Sequence, residues 1–396
     1  MEGFFSKHEF EDTSIKYSCA SCGLYKYCQS PKMEAYGKFK KKILIVADTP
    51  DDFEDQQGVP FRGRRGRVFR RFLEPHGIDM YEDCLITFAV KCSTKKPTMA
   101  HVNSCRRFVL NIIKKKNPHI VILAGELAVK SVIGSIWKKD IGTIHKWRGF
   151  KIPDQKYKCW ICPVYSPNFV LERDEKQVDL MFKKDMLGIL GLLDKPVPIR
   201  KEPEIEYIEE LSPLKKLGPG SVVTFDYETT GLKPQAPGHR ILCASVADSP
   251  DHVWVFEMPK TRKGRKPLID VLTNDLIYKI AHNMKYEDNW TNVRLGVQIK
   301  NWAFDTQVAA HIIDNRPDIV SLKFQTYVRL GIGDYDSEIA PYLKAKTPNS
   351  MNKAASLLKS PEMKMKLLKY CALDSSYTYE IANQMMKEMD YYLLPF

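Results

Sequence analysis

Short apolar runs alternate with helical segments through the first half of the chain. Four runs have the length and apolar content of buried strands: KKILIVAD (41–48), CLITFAV (84–90), HIVILAG (119–125) and CWICPVY (159–165). HVNSCRRFVLNIIKKK (101–116) has helical periodicity, and ELAVKSVIG follows the third run as a helix. Strands that alternate with helices form a parallel sheet, so this half is predicted to be an α/β domain.

The composition changes near residues 190–204. LDKPVPIRKEPEIE has three prolines and alternating charges without apolar periodicity, which is typical of an interdomain linker. SVVTFDYE, ILCASVAD and HVWVFEMP follow as three successive strands, and helical segments dominate from about residue 320. We predict an α/β chain with a parallel-sheet domain at 1–195, a linker at 196–203 and a mixed-sheet domain at 204–396.

The net charge of +13 and the pI near 9.1 favour a polyanionic partner, DNA or RNA. A solvated, lysine-rich surface would explain the charge alone. The stretch FRGRRGRVFRR (61–71) favours phosphate binding, because arginine presents a fixed fork of donors. No apolar run reaches the ~18 residues of a membrane span, and the start MEGFFSKHEFEDTS is not a secretory signal. A cytoplasmic protein without a membrane segment is predicted.

Two acids stand one residue apart in TFDYETTGL (224–232). Asp226 and Glu228 share one face of a strand, because side chains at i and i+2 point the same way. They repel each other unless a cation lies between them, and Mg²⁺ or Mn²⁺ suits such oxygen ligands. Two solvent-facing acids on an edge strand would also explain this stretch taken alone.

Two later stretches carry further candidates. IAHNMKYEDNW (280–290) opens a helix, and KYCALDSSYTYEIANQ (369–384) lies on a late helix with Tyr370 and Asp374 on one face. With TFDYETTGL, these stretches resemble in order and spacing the three motifs of the proofreading 3′→5′ exonuclease domain of family A DNA polymerases. That domain belongs to the DEDD superfamily, and the tyrosine marks its tyrosine subtype. The resemblance covers about residues 204–396.

The resemblance implies an RNase H-like fold and two-metal hydrolysis of a 3′-terminal phosphodiester. Two Mg²⁺ or Mn²⁺ ions would be held by Asp226, Glu228, Glu287 and Asp374. Tyr370 would orient the attacking water, and Asn283 would contact DNA.

The second motif departs from the family, which usually has N-x-x-x-D. Glu287 stands four residues after Asn283, whereas Asp288 is turned by roughly 100° on a helix. Glu287 is the predicted ligand and Asp288 the reserve, and a weakened metal site is the third alternative. Asp305 also fits the family pattern and is interpreted as supporting structure.

Ten cysteines in an intracellular chain do not predict a disulfide framework. Cys19 and Cys22 of CASC, with the later Cys92 and Cys105, resemble the cluster ligands of the iron–sulfur (family 4) uracil-DNA glycosylases. The resemblance implies a [4Fe–4S] cluster, with Zn²⁺ as the alternative for four thiolates. Cys28 is an alternative ligand. The two cysteines of CWIC (159–162) are predicted to lie in the core.

EDQQGVPFRGRRG extends this glycosylase resemblance over roughly residues 15–190. It makes Phe61 the ring that stacks on a flipped base. The positions that carry chemistry differ, because Asp48 and Asp51 replace a Glu and a Gly, Phe88 replaces an Asn, and Ser166 replaces a His. An inactive glycosylase-like domain is therefore predicted. It would hold DNA through Arg62, Arg64, Arg65, Arg67 and the basic residues 114–116. A glycosylase of altered base specificity is the alternative.

A glycosylase-like domain ahead of a proofreading exonuclease resembles the N-terminal half of certain bacteriophage family A DNA polymerases. The resemblance implies a polymerase partner, either on a separate polypeptide or in a longer chain of which this is part. A metal-dependent 3′→5′ DNA exonuclease is the predicted function. The alternatives are an active DNA repair glycosylase and a non-catalytic DNA-binding accessory subunit.

Overall fold

The computed structural model describes residues 17–173 and 175–393. The chain forms two compact units. The first runs through Ile199 and includes Leu330–Ile332, and the second comprises Arg200–Arg329 and the residues from Gly333 onward. The division after Ile199 falls within residues 196–203, which form no helix or strand. The grouping of Leu330–Ile332 with the first unit has no counterpart in the sequence prediction.

The first unit is built on a five-stranded sheet. Its strands are β1 (Ile43–Ala47), β2 (Cys84–Phe88), β3 (Ile120–Ala124), β4 (Ile152–Asp154) and β5 (Cys159–Val164). Their order is β2-β1-β3-β5-β4, and every neighbouring pair is parallel except β4 with β5. Every residue of β1, β2 and β3 is buried, as in parallel strands covered on both faces. The predicted α/β fold of this half is confirmed, although the three-residue β4 was not predicted.

Eight helices surround this sheet in the described residues. They are α1 (Cys19–Cys22), α2 (Asp52–Gln57), α3 (Arg64–Leu73), α4 (Met99–Lys116), α5 (Glu126–Val132), α6 (Ile144–Trp147), α7 (Pro167–Arg173) and α8 (Lys176–Leu190). Capping boxes begin α1, α2 and α4. Thr98 accepts the backbone N–H of His101 at the start of α4, and Asp51 accepts that of Glu54 at the start of α2.

The second unit is built on a six-stranded mixed sheet. Its strands are β6 (Glu204–Tyr207), β7 (Val222–Thr229), β8 (Ile241–Ser249), β9 (His252–Glu257), β10 (Tyr278–Ala281) and β11 (Trp302–Asp305). Their order is β11-β10-β7-β8-β9-β6, with antiparallel pairing of β8 to β7 and β9 and parallel pairing elsewhere. The predicted mixed sheet is confirmed. β6 and β11 were not predicted, because four-residue strands show too little periodicity.

The last helix of the second unit is also its longest. The helices of this unit are α9 (Arg262–Thr273), α10 (Met284–Trp290), α11 (Thr306–Ile313), α12 (Leu322–Leu330), α13 (Ala340–Leu343), α14 (Ala354–Leu357) and α15 (Pro361–Glu388). No helix in the described part of the chain is both long and apolar enough to cross a membrane.

Buried hydroxyl groups fix α15 on the sheet. Thr224 Oγ1 on β7 donates to the carbonyl oxygen of Ser375 at 2.8 Å. Ser245 Oγ on β8 donates to the carbonyl oxygen of Cys371 at 2.7 Å and lies 2.7 Å from the Ser375 hydroxyl. Satisfied polar contacts within an apolar interface define one register. The face of α15 that carries Tyr370 and Asp374 is therefore held against β7.

Candidate active site

Three carboxylates from two motifs meet where α15 lies on β7. One oxygen each of Asp226, Glu228 and Asp374 lies within 4.8 Å of the others. The strand period of two puts the first two on one face, and the fixed register of α15 brings the third. Glu228 and Asp374 are buried, and Asp226 is partly buried.

Burial and mutual repulsion make these acids hard to ionise. Burial, and then the charge of Asp374, raises the pKa of Asp226 from 3.8 to about 7. Burial, and then Asp226, raises the pKa of Glu228 well above its usual value. A divalent cation among them would reverse this, because it attracts the ionised forms.

Glu287 faces the same group from α10. Its side chain is buried, and its Oε2 has no hydrogen-bond partner among the described residues. Burial, and then the charge of Asp226, raises its pKa well above the usual value. Asp288 is partly exposed, and its Oδ1 lies 3.4 Å from Trp302 Nε1 as an acceptor. The geometry thus places Glu287, and not Asp288, toward Asp226, although Glu287 lies outside the tight three-carboxylate group.

The start of α10 is held by Asp305 at the end of β11. Its carboxylate accepts the backbone N–H groups of Asn283 at 3.1 Å and Met284 at 2.9 Å, and it also caps α11. Asn283 has a left-handed backbone with φ of 71°, which asparagine tolerates better than most residues. Asp305 therefore has the supporting role that the sequence indicated.

Tyr370 lies one helical turn before Asp374 and is buried. Burial, and then the charge of Asp374, raises the pKa of its hydroxyl well above the usual value, so the hydroxyl is neutral at neutral pH. Two further residues of the site were missed by sequence reasoning. Lys323 of α12 and Tyr335 of the following loop both hydrogen-bond to Asp374. Neither residue belongs to the three exonuclease-like motifs, so no sequence pattern indicated them.

The donor set fits the predicted metals. All of the converging atoms are carboxylate oxygens, which Mg²⁺ and Mn²⁺ prefer. The unpartnered Glu287 Oε2 is a further oxygen of the same kind beside them. Asp226, Glu228 and Asp374, with Glu287 next to them, are the residues that would hold divalent cations.

The four predicted cluster ligands line one cavity in the first unit. Cys19, Cys22, Cys92 and Cys105 surround a space of about 270 Å³. In the described residues, no three thiols lie within 4.8 Å of one another. Cys28 does not line this cavity. Burial, and then the charge of Cys92, raises the pKa of Cys28 to about 11.

Phe61, which the glycosylase resemblance places in the base pocket, is packed against other protein side chains. Phe61 is fully buried, stacked on Phe69 at 5.4 Å between ring centroids and edge-on to Phe88 at 6.2 Å. Arg65 is only 3% exposed and pairs with the buried Glu54 at 2.8 Å, with its guanidinium over both Phe61 and Phe88. This corrects two predicted DNA contacts, because neither Phe61 nor Arg65 reaches the surface.

The other departures from the glycosylase pattern have structural roles. Asp48 Oδ1 accepts the backbone N–H groups of Leu127 and Ala128 at the start of α5. Ser166 Oγ accepts the N–H of Phe169 at the start of α7. Cys159 and Cys162 are fully buried in β5, in agreement with their predicted place in the core.

A basic surface remains on the first unit. Arg62, Arg64 and Arg67 are exposed on and before α3, and the lysines at 114–116 are exposed at the end of α4. Their positions allow contact with a phosphate backbone.

Comparison with known proteins identifies both halves. Residues 34–187 match the uracil DNA glycosylase superfamily, and residues 200–390 match the 3′-5′ exonuclease family. The chain is 25% identical over 354 residues to a DNA polymerase of Bacillus phage SP01. This match covers 78% of this chain but only 37% of that polymerase. It is also 25% identical over 186 residues to the type-4 uracil-DNA glycosylase of Archaeoglobus fulgidus, covering 46% of this chain and 91% of that protein.

A solved structure of Brucella melitensis NrnC bound to pGG aligns with 48% of this chain and 83% of its own, at 18% identity and a TM-score of 0.36. Both resemblances seen in the sequence motifs are confirmed by the family matches. The chain therefore contains a domain of the uracil DNA glycosylase superfamily followed by a 3′-5′ exonuclease domain.

Proposed function

We propose that the protein removes nucleotides from the 3′ ends of DNA with divalent metal ions, as the proofreading part of a replication machine. The convergence of Asp226, Glu228 and Asp374 carries the proposal. Two motifs far apart in sequence supply these acids, and the exonuclease family match includes both. The likeness to a phage DNA polymerase supports DNA as the substrate.

Each residue has a defined part in this reaction. Two Mg²⁺ or Mn²⁺ ions bound by these carboxylates would stabilise the attacking and the leaving oxygen. Asp226, Glu228 and Asp374 bind them, and Glu287 provides the fourth carboxylate. Tyr370 stays protonated at neutral pH. Its hydroxyl therefore orients the attacking water by hydrogen bonding and does not act as a base.

The test uses a 5′-labelled single-stranded oligonucleotide with one internal uracil. The protein is incubated with it in Mn²⁺ or in EDTA, and each sample is divided for alkali treatment. We expect a ladder from the 3′ end in Mn²⁺ alone and no alkali-sensitive break at uracil. A break at uracil in EDTA without a ladder would assign the activity to the other unit.

We propose that the first unit, over residues 1–195, binds DNA without excising uracil. The packing around Phe61 supports this, because Phe88, which stands in the motif where the family has asparagine, lies edge-on to the Phe61 ring. The His-to-Ser change at Ser166 supports it too, because an anion-stabilising donor is worth roughly 10²–10³ in rate.

Phe88→Asn should not restore uracil excision, because Arg65 still lies over the pocket and Ser166 still replaces histidine. It should lower the stability of the first unit by about 3 kcal/mol, since Phe88 is fully buried. Thermal unfolding and the alkali assay measure both effects. Phe53→Asn, at a ring that is 47% exposed, is the matched control with little change. Uracil release by Phe88→Asn would contradict the proposal.

Replacement of Arg64 and Arg67 by alanine should weaken DNA binding and flatten its salt dependence. Two lost phosphate contacts reduce the slope of log K against log salt by about 1.5. Binding of a labelled oligonucleotide in EDTA over a salt series measures this slope. Lys266→Ala removes an exposed cation that pairs with Asp270 on α9, and should leave the slope unchanged. An unaltered slope in the arginine variant would place DNA elsewhere.

We also propose that Cys19, Cys22, Cys92 and Cys105 hold a [4Fe–4S] cluster. Their common cavity supports a shared metal centre. The likeness to type-4 uracil-DNA glycosylases supports it as well.

The polymerase partner and the place of action follow from the phage relative. This chain spans 37% of the length of that DNA polymerase. We propose that a polymerase domain or subunit works with this exonuclease, in the cytoplasm of the host cell if the protein is viral. Co-purification with an added polymerase domain of that relative tests the partnership.

A further inference from the structure

A lysine stands inside the carboxylate site of the second unit. Lys323 projects from α12, and its side chain is only 14% exposed. Its Nζ donates to both carboxylate oxygens of Asp374, to Oδ2 at 2.7 Å, and to the Tyr335 hydroxyl at 2.9 Å. An ammonium has three donors, so all three are used.

Two aromatic rings enclose this ammonium. Its nitrogen lies 4.3 Å from the centroid of Tyr335 and 4.2 Å from that of Tyr370. Cation–π contact at such distances is favourable, especially away from water. The Tyr335 hydroxyl also donates to Asp374 Oδ1 at 2.6 Å. Lys323 therefore has a fixed position beside Asp374 and Tyr370.

The charge of Lys323 extends beyond its direct partner. It lowers the pKa of both Asp226 and Glu228, opposing the effects of burial. A lysine that served only to anchor α12 would need one carboxylate. This one is placed where the three carboxylates of Asp226, Glu228 and Asp374 converge, and a buried ion pair adds little to stability by itself.

With two divalent cations and the substrate bound, the site would have one unbalanced negative charge. Asp226, Glu228, Glu287 and Asp374 bring four negative charges when ionised, and two divalent cations would balance them. The scissile phosphodiester then adds one negative charge. The ammonium of Lys323 is the matching positive charge.

We propose that Lys323 is a positioning residue of the exonuclease site, which orients Asp374 and offsets the negative charge of the scissile phosphodiester. The inference rests on the proposed exonuclease function. The ammonium repels divalent cations while it favours the phosphodiester. Removing the charge should therefore strengthen the binding of divalent cations and weaken the stabilisation of the phosphodiester.

Lys323→Met should therefore separate metal affinity from turnover. We expect Mn²⁺ to bind about tenfold more tightly in calorimetry without DNA, because a like charge has been removed. We expect kcat for oligonucleotide digestion at saturating Mn²⁺ to fall about 10²-fold, with a smaller change in KM. Lys323→Arg keeps the charge, so its Mn²⁺ affinity should stay near wild type and its kcat should recover at least in part.

The controls distinguish this from loss of structure. Lys364→Met removes a lysine of α15 that pairs with Glu257 outside the site, and should change neither quantity. Lys323→Gln, which keeps a donor without charge, replaces Lys323→Met if that variant fails to fold. Weaker Mn²⁺ binding together with slower turnover would reduce Lys323 to a structural lysine and overturn the proposal, as would a wild-type kcat.

Failure of the proposed function gives a different result. If the wild-type protein does not degrade DNA in Mn²⁺, the exonuclease proposal fails. Tighter Mn²⁺ binding by Lys323→Met would even then support the electrostatic role of the lysine at the carboxylates.

Discussion

Asp226→Asn should abolish degradation from the 3′ end and at the same time make the metal-free protein more stable above pH 7. The activity should fall roughly 10³-fold, because the variant loses a carboxylate that binds metal. The gain in stability follows from the raised pKa of Asp226. Its value is about 7 in the folded protein, against an ordinary 3.8.

The sign of the pH effect depends on whether the folded or the unfolded state binds the proton of Asp226 more tightly. Between pH 3.8 and about 7 the unfolded chain has released the proton of Asp226, whereas the folded protein retains it. The free energy of unfolding of the metal-free wild type therefore falls as the pH rises through this window and stays low above it. Asparagine does not titrate and is not repelled by Asp374. The variant avoids a loss on the order of 2–4 kcal/mol.

Thermal unfolding in EDTA at pH 5 and pH 8 measures this effect. We expect the transition of the second unit to rise by about 5 °C or more in the variant at pH 8, with a smaller difference at pH 5. Added Mn²⁺ should stabilise the wild type and have little effect on the variant. Asp270→Asn, on the exposed face of α9, should match the wild type. A variant less stable than the wild type at pH 8 would show that burial and the charge of Asp374 do not disfavour ionised Asp226 in the folded protein.

Cys92→Ser and Cys105→Ser should each remove most of the proposed [4Fe–4S] cluster and destabilise the first unit. Both side chains are buried at the cavity wall, so replacing either by serine exposes no new surface. A serine hydroxyl is a poor ligand in place of a thiolate. A metal centre bound by several residues contributes its binding energy to folding. We therefore expect these variants to lower the unfolding temperature of the first unit more than any surface substitution does.

Chemical analysis distinguishes the cluster from its alternative. Wild-type protein purified without oxygen should contain iron and acid-labile sulfide in equal amounts, and both should fall in the two variants. Cys28→Ser, which changes a thiol outside the cavity, is the control that should keep the iron. Zinc without sulfide would identify a single-ion site, and iron retained in Cys92→Ser would exclude this cysteine as a ligand.

The sequence predicts features that depend on local periodicity. Strands β1, β2 and β3 follow from continuous apolar runs, and the shared face of Asp226 and Glu228 follows from the strand period. The preference for Glu287 over Asp288 follows from the helical period. All of these involve neighbours within a few residues, where backbone geometry determines which side chains point together.

Contacts between distant segments were beyond this reasoning. Lys323 and Tyr335 meet Asp374 only because α12 and the following loop pack beside α15. The sequence predicts Arg65 on the surface with the neighbouring arginines, but its guanidinium forms a buried salt bridge with Glu54. Phe61 has a left-handed backbone with φ of 60°, which composition does not predict, and its N–H donates to Glu54 at 2.9 Å.

The packing around Phe61 also restricts how this lineage can evolve. Loss of Arg65 alone would leave the carboxylate of Glu54 buried without its cation, at a cost of about 3–5 kcal/mol. Loss of the Phe88 ring alone would leave a cavity beneath the guanidinium. Each of these two single changes thus gives a less stable protein. Selection for stability therefore acts against either substitution by itself.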